Sequence, residues 1–492
     1  MTLYRCNVCN VFEYESFRGD PLTHILPGTE PRDFPADWAC PICTSDQTHL
    51  KPVPSFAAPS HMNTCPLCGA PLTPAPVPAK PRVLPDYLSA WERQSDELEV
   101  SMADIHTMAV TGKSIIEPMR TKKPVISWDD LLIKGAQIAT RPLNKETFVT
   151  TRTVIGPKAQ HPMVLETPVF VTHMSFGALS REVKIAIAQG TAAVRTAMGS
   201  GEGGLLPEAR HQAYRYILEY VPNRYSITEE NLRSADAIEI KIGQSAEPGM
   251  GARLLAEKVT AEIAEIRRYP QGTDINSPAA YDDIRNREDL KQKVQWLRKT
   301  SGGKPIGIKI AAGDIEADLA EVLYAEPDFI TIDGRPGATG AALKFIKDST
   351  SVPTIFALYR ARKYLDRHNG RDISLVITGG LRVSSDFAKA LCLGADAVAI
   401  GTAALMACAC QQYRLCNTGN CPVGVTTQKP ELRERLDPAI SAKRLEQFLR
   451  VSTDELRDFA RLTGNNDVHA LNIRNICTTN SEISGHTEIP HV

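Results

Sequence analysis

Seven short apolar runs between residues 169 and 400 set the fold class of this chain. They span 169–174, 193–198, 237–242, 306–311, 329–332, 375–378 and 397–400, and most end in small or polar residues. Helix-like stretches such as 182–191, 256–267 and 387–393 separate most of them. Strands alternating with helices imply a parallel sheet. Seven such units over roughly 280 residues suit an α/β fold of the closed (β/α)₈, or TIM, barrel type better than an open sheet. The eighth strand is expected between 345 and 372. Beyond about 425 the pattern reads as helices with a polar tail.

The chain has 492 residues, enough for one large domain and smaller ones. A net charge of −1 gives no electrostatic case for nucleic acid or membrane binding. No apolar run approaches about 18 residues, and the first residues lack a secretory apolar core, so a cytoplasmic protein is expected. Four regions are expected: residues 1–51, a Cys₄ metal domain; 52–85, a Pro-rich linker with one extra Cys-x-x-Cys; 86–430, the barrel, entered through a polar helical segment near 86–115; and 431–492, a helical extension and tail.

Twelve cysteines cluster rather than scatter, which in such a chain reads as metal binding rather than disulfides. Cys6-x-x-Cys9 and Cys40-x-x-Cys43 can close a tetrahedral site for zinc or iron. With Tyr4, Tyr14, Gly19-Asp20, Pro27-Gly28-Thr29 and Asp37-Trp38, this segment resembles rubredoxin, which implies one iron cycling between ferric and ferrous. Rubredoxins usually carry Gly just after each knuckle, where the backbone turns left-handed. Here those positions are Asn10, which tolerates that turn, and Thr44, which does so poorly. A structural zinc knuckle stays open beside redox iron. Cys65-x-x-Cys68 is half of a zinc ribbon, with a partner site or a free dithiol both open.

Cys410, Cys416 and Cys421, the last followed by Pro422, place three thiolates in one loop, which suits a three-iron cluster. Cys408 competes for a place in that set; otherwise it is a small buried residue, as Cys392 and Cys477 are expected to be. Glycine turns at strand ends, Gly379-Gly380 and Gly401-Thr402, and the segment from Ser175 to Ser180, could cradle a phosphate on backbone amides, or could simply be tight turns.

From about 125 to 430 the chain resembles the FMN-binding glutamate synthase family in its short, single-domain form. The motifs are Met174 to Ser180, Gly201-Glu-Gly-Gly204, Lys241-Ile-Gly-Gln244, Gly307-Ile-Lys-Ile310, Asp333-Gly334 with Thr339-Gly-Ala-Ala342, Gly379-Gly-Leu381 and the stretch from Cys416 to Gln428. The resemblance implies FMN, a [3Fe–4S] cluster on Cys410, Cys416 and Cys421, and reductive transfer of ammonia to 2-oxoglutarate, giving glutamate. It implies catalytic roles for Lys241, Lys309 and Glu202, and cofactor contacts from Met174, Ser175, Phe176, Gly379, Gly380, Gly401 and Thr402. It places substrate at Gln244, Glu247, Arg253 and Arg267.

Two of these depart from the family pattern. The family usually has Lys where this chain has Glu247, and Gln where it has Arg253. A glutamate repels a dicarboxylate, so either Arg253 is expected to neutralise Glu247, or the site is expected to prefer a different acceptor or a cationic amine, for which Glu247 is a natural partner. An N-methylglutamate synthase-like subunit using an alkylamine is therefore the alternative reading, and a non-catalytic electron-transfer subunit a third. Residue 2 is Thr and Cys6 belongs to a knuckle, so the chain is not expected to hydrolyse glutamine itself. Ammonia, an amine or a glutaminase partner must supply nitrogen. No dinucleotide fingerprint follows a strand, so a separate reductase or electron carrier is expected, with the rubredoxin-like domain as the way in for electrons. A homo-oligomer is left open.

Overall fold

The computed structural model describes residues 3–9, 12–20, 23–53, 93 and 95–492. Asn10, the Cys65–Cys68 pair and most of the proline-rich stretch lie outside the described residues. The chain divides into two compact units, Met1–Ile115 and Ile116–Val492.

In the first unit β1 (Leu3–Cys6) pairs antiparallel with β2 (Glu13–Glu15) on one side and β3 (Leu50–Pro52) on the other. A sheet this small cannot bury a core of aliphatic layers. Its interior is Tyr14, Phe34 and Trp38 stacked around Cys6, Cys9 and Cys40, with Tyr14 edge-on to Phe34 at 4.9 Å. The helix expected near 86–115 runs over α1 (Met102–Thr111) and stops at Gly112, whose φ of 63° lets the chain turn out of the helix.

In the second unit eight parallel strands close a barrel. They are β7 (Val169–His173), β8 (Ala197–Gly199), β9 (Arg215–Tyr220), β10 (Ala237–Lys241), β13 (Ile306–Ala311), β14 (Phe329–Asp333), β15 (Ser374–Thr378) and β16 (Ala397–Ile400), each paired with the next and β16 returning to β7. The barrel class read from the sequence is the one observed. The place of its eighth strand is not: residues 345–372 hold α8 (Lys344–Ser349) and α9 (Thr354–Arg367), and the strand is β9. β9 reads Arg-Tyr-Ile-Leu-Glu-Tyr and escapes a search for apolar runs because Glu219 faces the polar interior while Arg215 pairs with Asp236 at 2.8 Å. The run expected at 193–198 shrinks to β8, since α2 (Arg181–Ala193) continues to its start.

The barrel interior is graded. Phe170, Ala197, Ile217, Ala237, Phe329, Val376 and Ala397, at the strand beginnings, form one apolar cluster with Ile155, Met163 and Leu165. Those three belong to an antiparallel hairpin of β5 (Thr153–Ile155) and β6 (Met163–Leu165) that plugs the lower end. Because side chains alternate along a strand, the next inward positions upward are Glu219, Glu239, Lys241, Lys309 and Thr331, so the upper end is polar. The C-terminal stretch is helical, led by α13 (Pro438–Leu462) against α2. Its last part is no loose tail: β17 (Ile476–Thr478) pairs with β4 (Leu131–Ile133), and Ile489 is buried. Among the described residues no helix is long and apolar enough to cross a membrane.

Candidate active site at the C-terminal end of the barrel

A cavity of about 210 Å³ opens above the polar layer. The loops after β7, β8, β10 and β16 build it, as expected where strand ends leave backbone groups free for chemistry. Of the residues predicted from sequence, Met174, Ser175, Glu202, Lys241, Gln244, Glu247, Arg253, Arg267, Gly401, Thr402, Cys410, Cys416 and Cys421 border it. Phe176, Lys309, Gly379 and Gly380 do not. Phe176 is fully buried, and its carbonyl accepts from Arg267 Nη2 at 2.7 Å. Lys309 lies in the barrel interior, 3.9 Å from the Asp333 carboxylate. Gly379 has a φ of 105° and is required by a close approach: a Cβ there would sit 2.0 Å from the Gly334 carbonyl oxygen.

The centre of the cavity is an ion pair between Lys241 and Glu202, whose second oxygen accepts from Ser277. Burial works against the charge on Lys241, but Glu202 foremost, with Glu219 and Glu247, holds its pKa above the usual lysine range. Glu247 stands beside this pair, its Oε2 accepting from Gln244 Nε2 at 2.9 Å. Burial pushes the Glu247 carboxyl up to about 7, and the neighbouring Glu202 adds to that against the opposing pull of Lys241. Arg253 does not compensate for Glu247. It is half-exposed and bound to Asp274 at 2.5 Å. Arg267 is buried over the Tyr225 ring at 5.2 Å, and its Nε has no hydrogen-bond partner in the protein.

Beneath lies a layer that sequence reasoning missed. A register irregularity in β7 between Val171 and His173 aims His173 inward. Its Nδ1 accepts from the Gly201 amide at 3.2 Å, and its Nε2 lies 3.0 Å from Glu239 Oε2. Burial opposes ionisation of Glu239, yet the His173 contact holds it below the usual carboxylate range. Lys184 of α2 is wholly buried and donates to the carbonyls of Met174, Gly199 and Ser200 at 3.0, 3.2 and 2.8 Å, tying the loops after β7 and β8 together. Burial brings its pKa down to about 7. The one signal for it was a lysine on the apolar face of a helix.

Cys410, Cys416 and Cys421 come from one loop and meet at the cavity wall. Among the described residues, the groups close enough to surround a single ion are the four N-terminal cysteines and the His173–Glu219–Glu239 set. The three loop cysteines are not among those groups. Cys408 is 1% exposed on α11 (Thr402–Cys408) and does not border the cavity. It packs in the apolar core instead.

In the first unit Cys6 and Cys43 sulfurs are 3.7 Å apart, Cys9 and Cys40 3.9 Å, and all four within 4.8 Å. Four sulfurs at about 2.3 Å from a central ion would be about 3.8 Å apart, so the cage has the size of a tetrahedral site. Thr44 does take the left-handed turn, with φ of 59°. A β-branched residue there carries strain of about 1–2 kcal/mol. Thr44→Gly is therefore expected to stabilise this unit by about 1 kcal/mol, after the added flexibility of glycine is counted. Denaturant unfolding followed by Trp38 fluorescence checks this, and an unchanged or lower midpoint would show the turn to be unstrained.

Residues 118–466 match the conserved region in glutamate synthase, and residues 3–50 match rubredoxin. The chain is similar to a glutamate synthase large subunit-like protein of Rhizobium meliloti (strain 1021), 36% identical over 412 residues, covering 80% of this chain and 93% of that one. It is 38% identical over 388 residues to the archaeal-type glutamate synthase (NADPH) of Dehalococcoides mccartyi, covering 75% and 78%. With the archaeal glutamate synthase (NADPH) of Methanocaldococcus jannaschii it shares 35% over 399 residues, covering 75% and 78%.

Proposed function

The chain belongs to the glutamate synthase family and is an oxidoreductase of that type, and from this premise we propose that it forms an amino acid by reductive amination of a 2-oxo acid. Nitrogen comes from outside the chain, as ammonia or through a partner subunit, and electrons come through a separate reductase or carrier, in the cytoplasm. The observation that carries this reading is the buried Lys241–Glu202 pair sharing one cavity with Glu247, Arg267 and three cysteines.

The cavity wall suits a flavin: Met174, Ser175 and the Gly401–Thr402 turn lie side by side at the C-terminal ends of the paired strands β7 and β16 and border the cavity. FMN bound there would supply the hydride, and the cysteine cluster single electrons. Phe176, Gly379, Gly380 and Lys309, which stand back from the cavity, would act on the cofactor only by supporting those loops. The remaining work falls to the side chains. Lys241, held charged by Glu202, would stabilise negative charge developing beside it. Arg267, which borders the cavity, would supply positive charge toward a substrate carboxylate. Glu247, with a pKa near neutrality, would hold or release a proton at its carboxyl oxygen.

Glu247 also supports the second reading, an alkylamine as nitrogen donor, because among the described residues no arginine forms an ion pair with it. Anaerobic reoxidation of the reduced protein separates the two. Reoxidation by 2-oxoglutarate with ammonia supports the first, and reoxidation only with an alkylamine present supports the second. Failure of every 2-oxo acid and amine pair would sink the catalytic reading. Under the first, pH has a definite sign. Below about pH 7 the Glu247 carboxyl is neutral and admits a dicarboxylate; above it the carboxylate repels one. The KM for 2-oxoglutarate is expected to rise by up to about tenfold per pH unit above the transition, at fixed free ammonia. Glu247→Gln should flatten that rise, and Glu247→Lys should lower KM throughout. A flat wild-type profile from pH 6 to 8 would remove Glu247 from substrate binding.

A further inference from the structure

Lys258 ends a short 3₁₀ turn, Ala256–Lys258, at the start of the stretch read from sequence as helix-like, 256–267, in which the α-helix itself covers only Ala261–Arg267. Its side chain is 9% exposed and borders the cavity. Its Nζ donates to the Cys416 carbonyl at 2.5 Å, across 158 residues of sequence. Its stem packs against the cysteine loop at Gly419, where a Cβ would lie 3.4 Å from Lys258 Cε. Its field reaches both the Cys416 and Cys421 sulfurs. No carboxylate among the described residues lies within ion-pair distance of it, and the acidic neighbour Glu257 is exposed.

A buried cation without a carboxylate partner needs another source of negative charge. We infer that Lys258 is a positioning residue that sets the reduction potential of the iron–sulfur cluster held by Cys410, Cys416 and Cys421. This rests on the cluster reading given above. When the cluster takes up one electron it gains one negative charge, and no bond to the protein forms or breaks. A fixed positive charge beside two of the three ligands stabilises the reduced form over the oxidised one. Lys258 thus pulls electrons from the outside donor onto the cluster at the cavity wall.

The test is an EPR-monitored redox titration of the full-length protein with Lys258→Met, Lys258→Gln and Lys258→Arg. Gln keeps a donor for the Cys416 carbonyl without the charge. In the Met and Gln variants the ratio of reduced to oxidised cluster at the wild-type midpoint should fall about tenfold, equal to about 59 mV for one electron. Arg should leave it within about twofold of wild type. If Met disrupts cluster assembly, the Gln variant alone decides. Wild-type potentials in Met and Gln would overturn the inference, and so would an Arg variant shifted as far as they are, since the effect would then be steric. A wild-type protein with no three-iron signal would overturn the cluster reading itself, a failure distinct from unshifted potentials in cluster-loaded variants.

Discussion

Cys416→Ser is expected to abolish the three-iron EPR signal, and Cys410→Ser and Cys421→Ser to do the same, while Cys408→Ser leaves it intact. The three residues share one loop and one cavity wall, and a cluster bound by three thiolates has none to spare. Serine oxygen is a harder and poorer ligand for iron–sulfur clusters than thiolate sulfur. Cys408 differs because α11 carries its side chain into core packing, away from the cavity that the other three border. The change to serine there places a hydroxyl in an apolar site at a cost of about 1–3 kcal/mol, so Cys408→Ala should accompany it as the milder variant. Iron content and low-temperature EPR of anaerobically purified protein check both halves. If either Cys408 variant, still folded, loses the signal while a 410, 416 or 421 variant keeps it, the ligand set is misassigned.

The second large effect is expected at Lys241. Lys241→Met should lower turnover by about 10²–10³-fold, the scale of removing one stabilising group from a dry site. It should also destabilise the barrel by about 3–5 kcal/mol, because Glu202 is left charged and buried with only Ser277 to serve it. These two losses have different cures. Adding Glu202→Gln removes the stranded charge and should recover most of the stability. It cannot restore positive charge to the cavity, so turnover should stay low. Thermal unfolding, flavin content and anaerobic turnover of the single and double variants make the comparison. Recovery of turnover in the double variant would reduce Lys241 to a counter-ion for Glu202.

Much of this site was readable because its chemistry sits on short motifs. The two N-terminal Cys-x-x-Cys pairs announce a four-sulfur metal site without reference to any fold, since the two ligands of each pair lie within a few residues of one another. The run ending in Lys241, followed at once by Gln244 and Glu247, carries its side chains to the same rim because a strand end and its turn leave them little choice. The barrel class followed from alternation alone.

Contacts between distant segments were not readable. Whether Arg253 answers Glu247 or Asp274 depends on the pairing of β11 (Arg253–Leu254) with β12 (Ile275–Asn276), which brings Asp274 within 2.5 Å. That Glu219 belongs in a barrel strand depends on the interior being polar at that height, which no window of six residues reveals. His173 reaches Glu239, Lys184 reaches three carbonyls and Lys258 reaches Cys416 because barrel closure brings together residues between 10 and 158 positions apart. The sequence by itself determined the alternation of elements and most of the named residues that border the cavity, since both are local. The tertiary structure alone decided which charges neutralise one another, because a buried charge is partnered by what the fold places within a few ångströms of it.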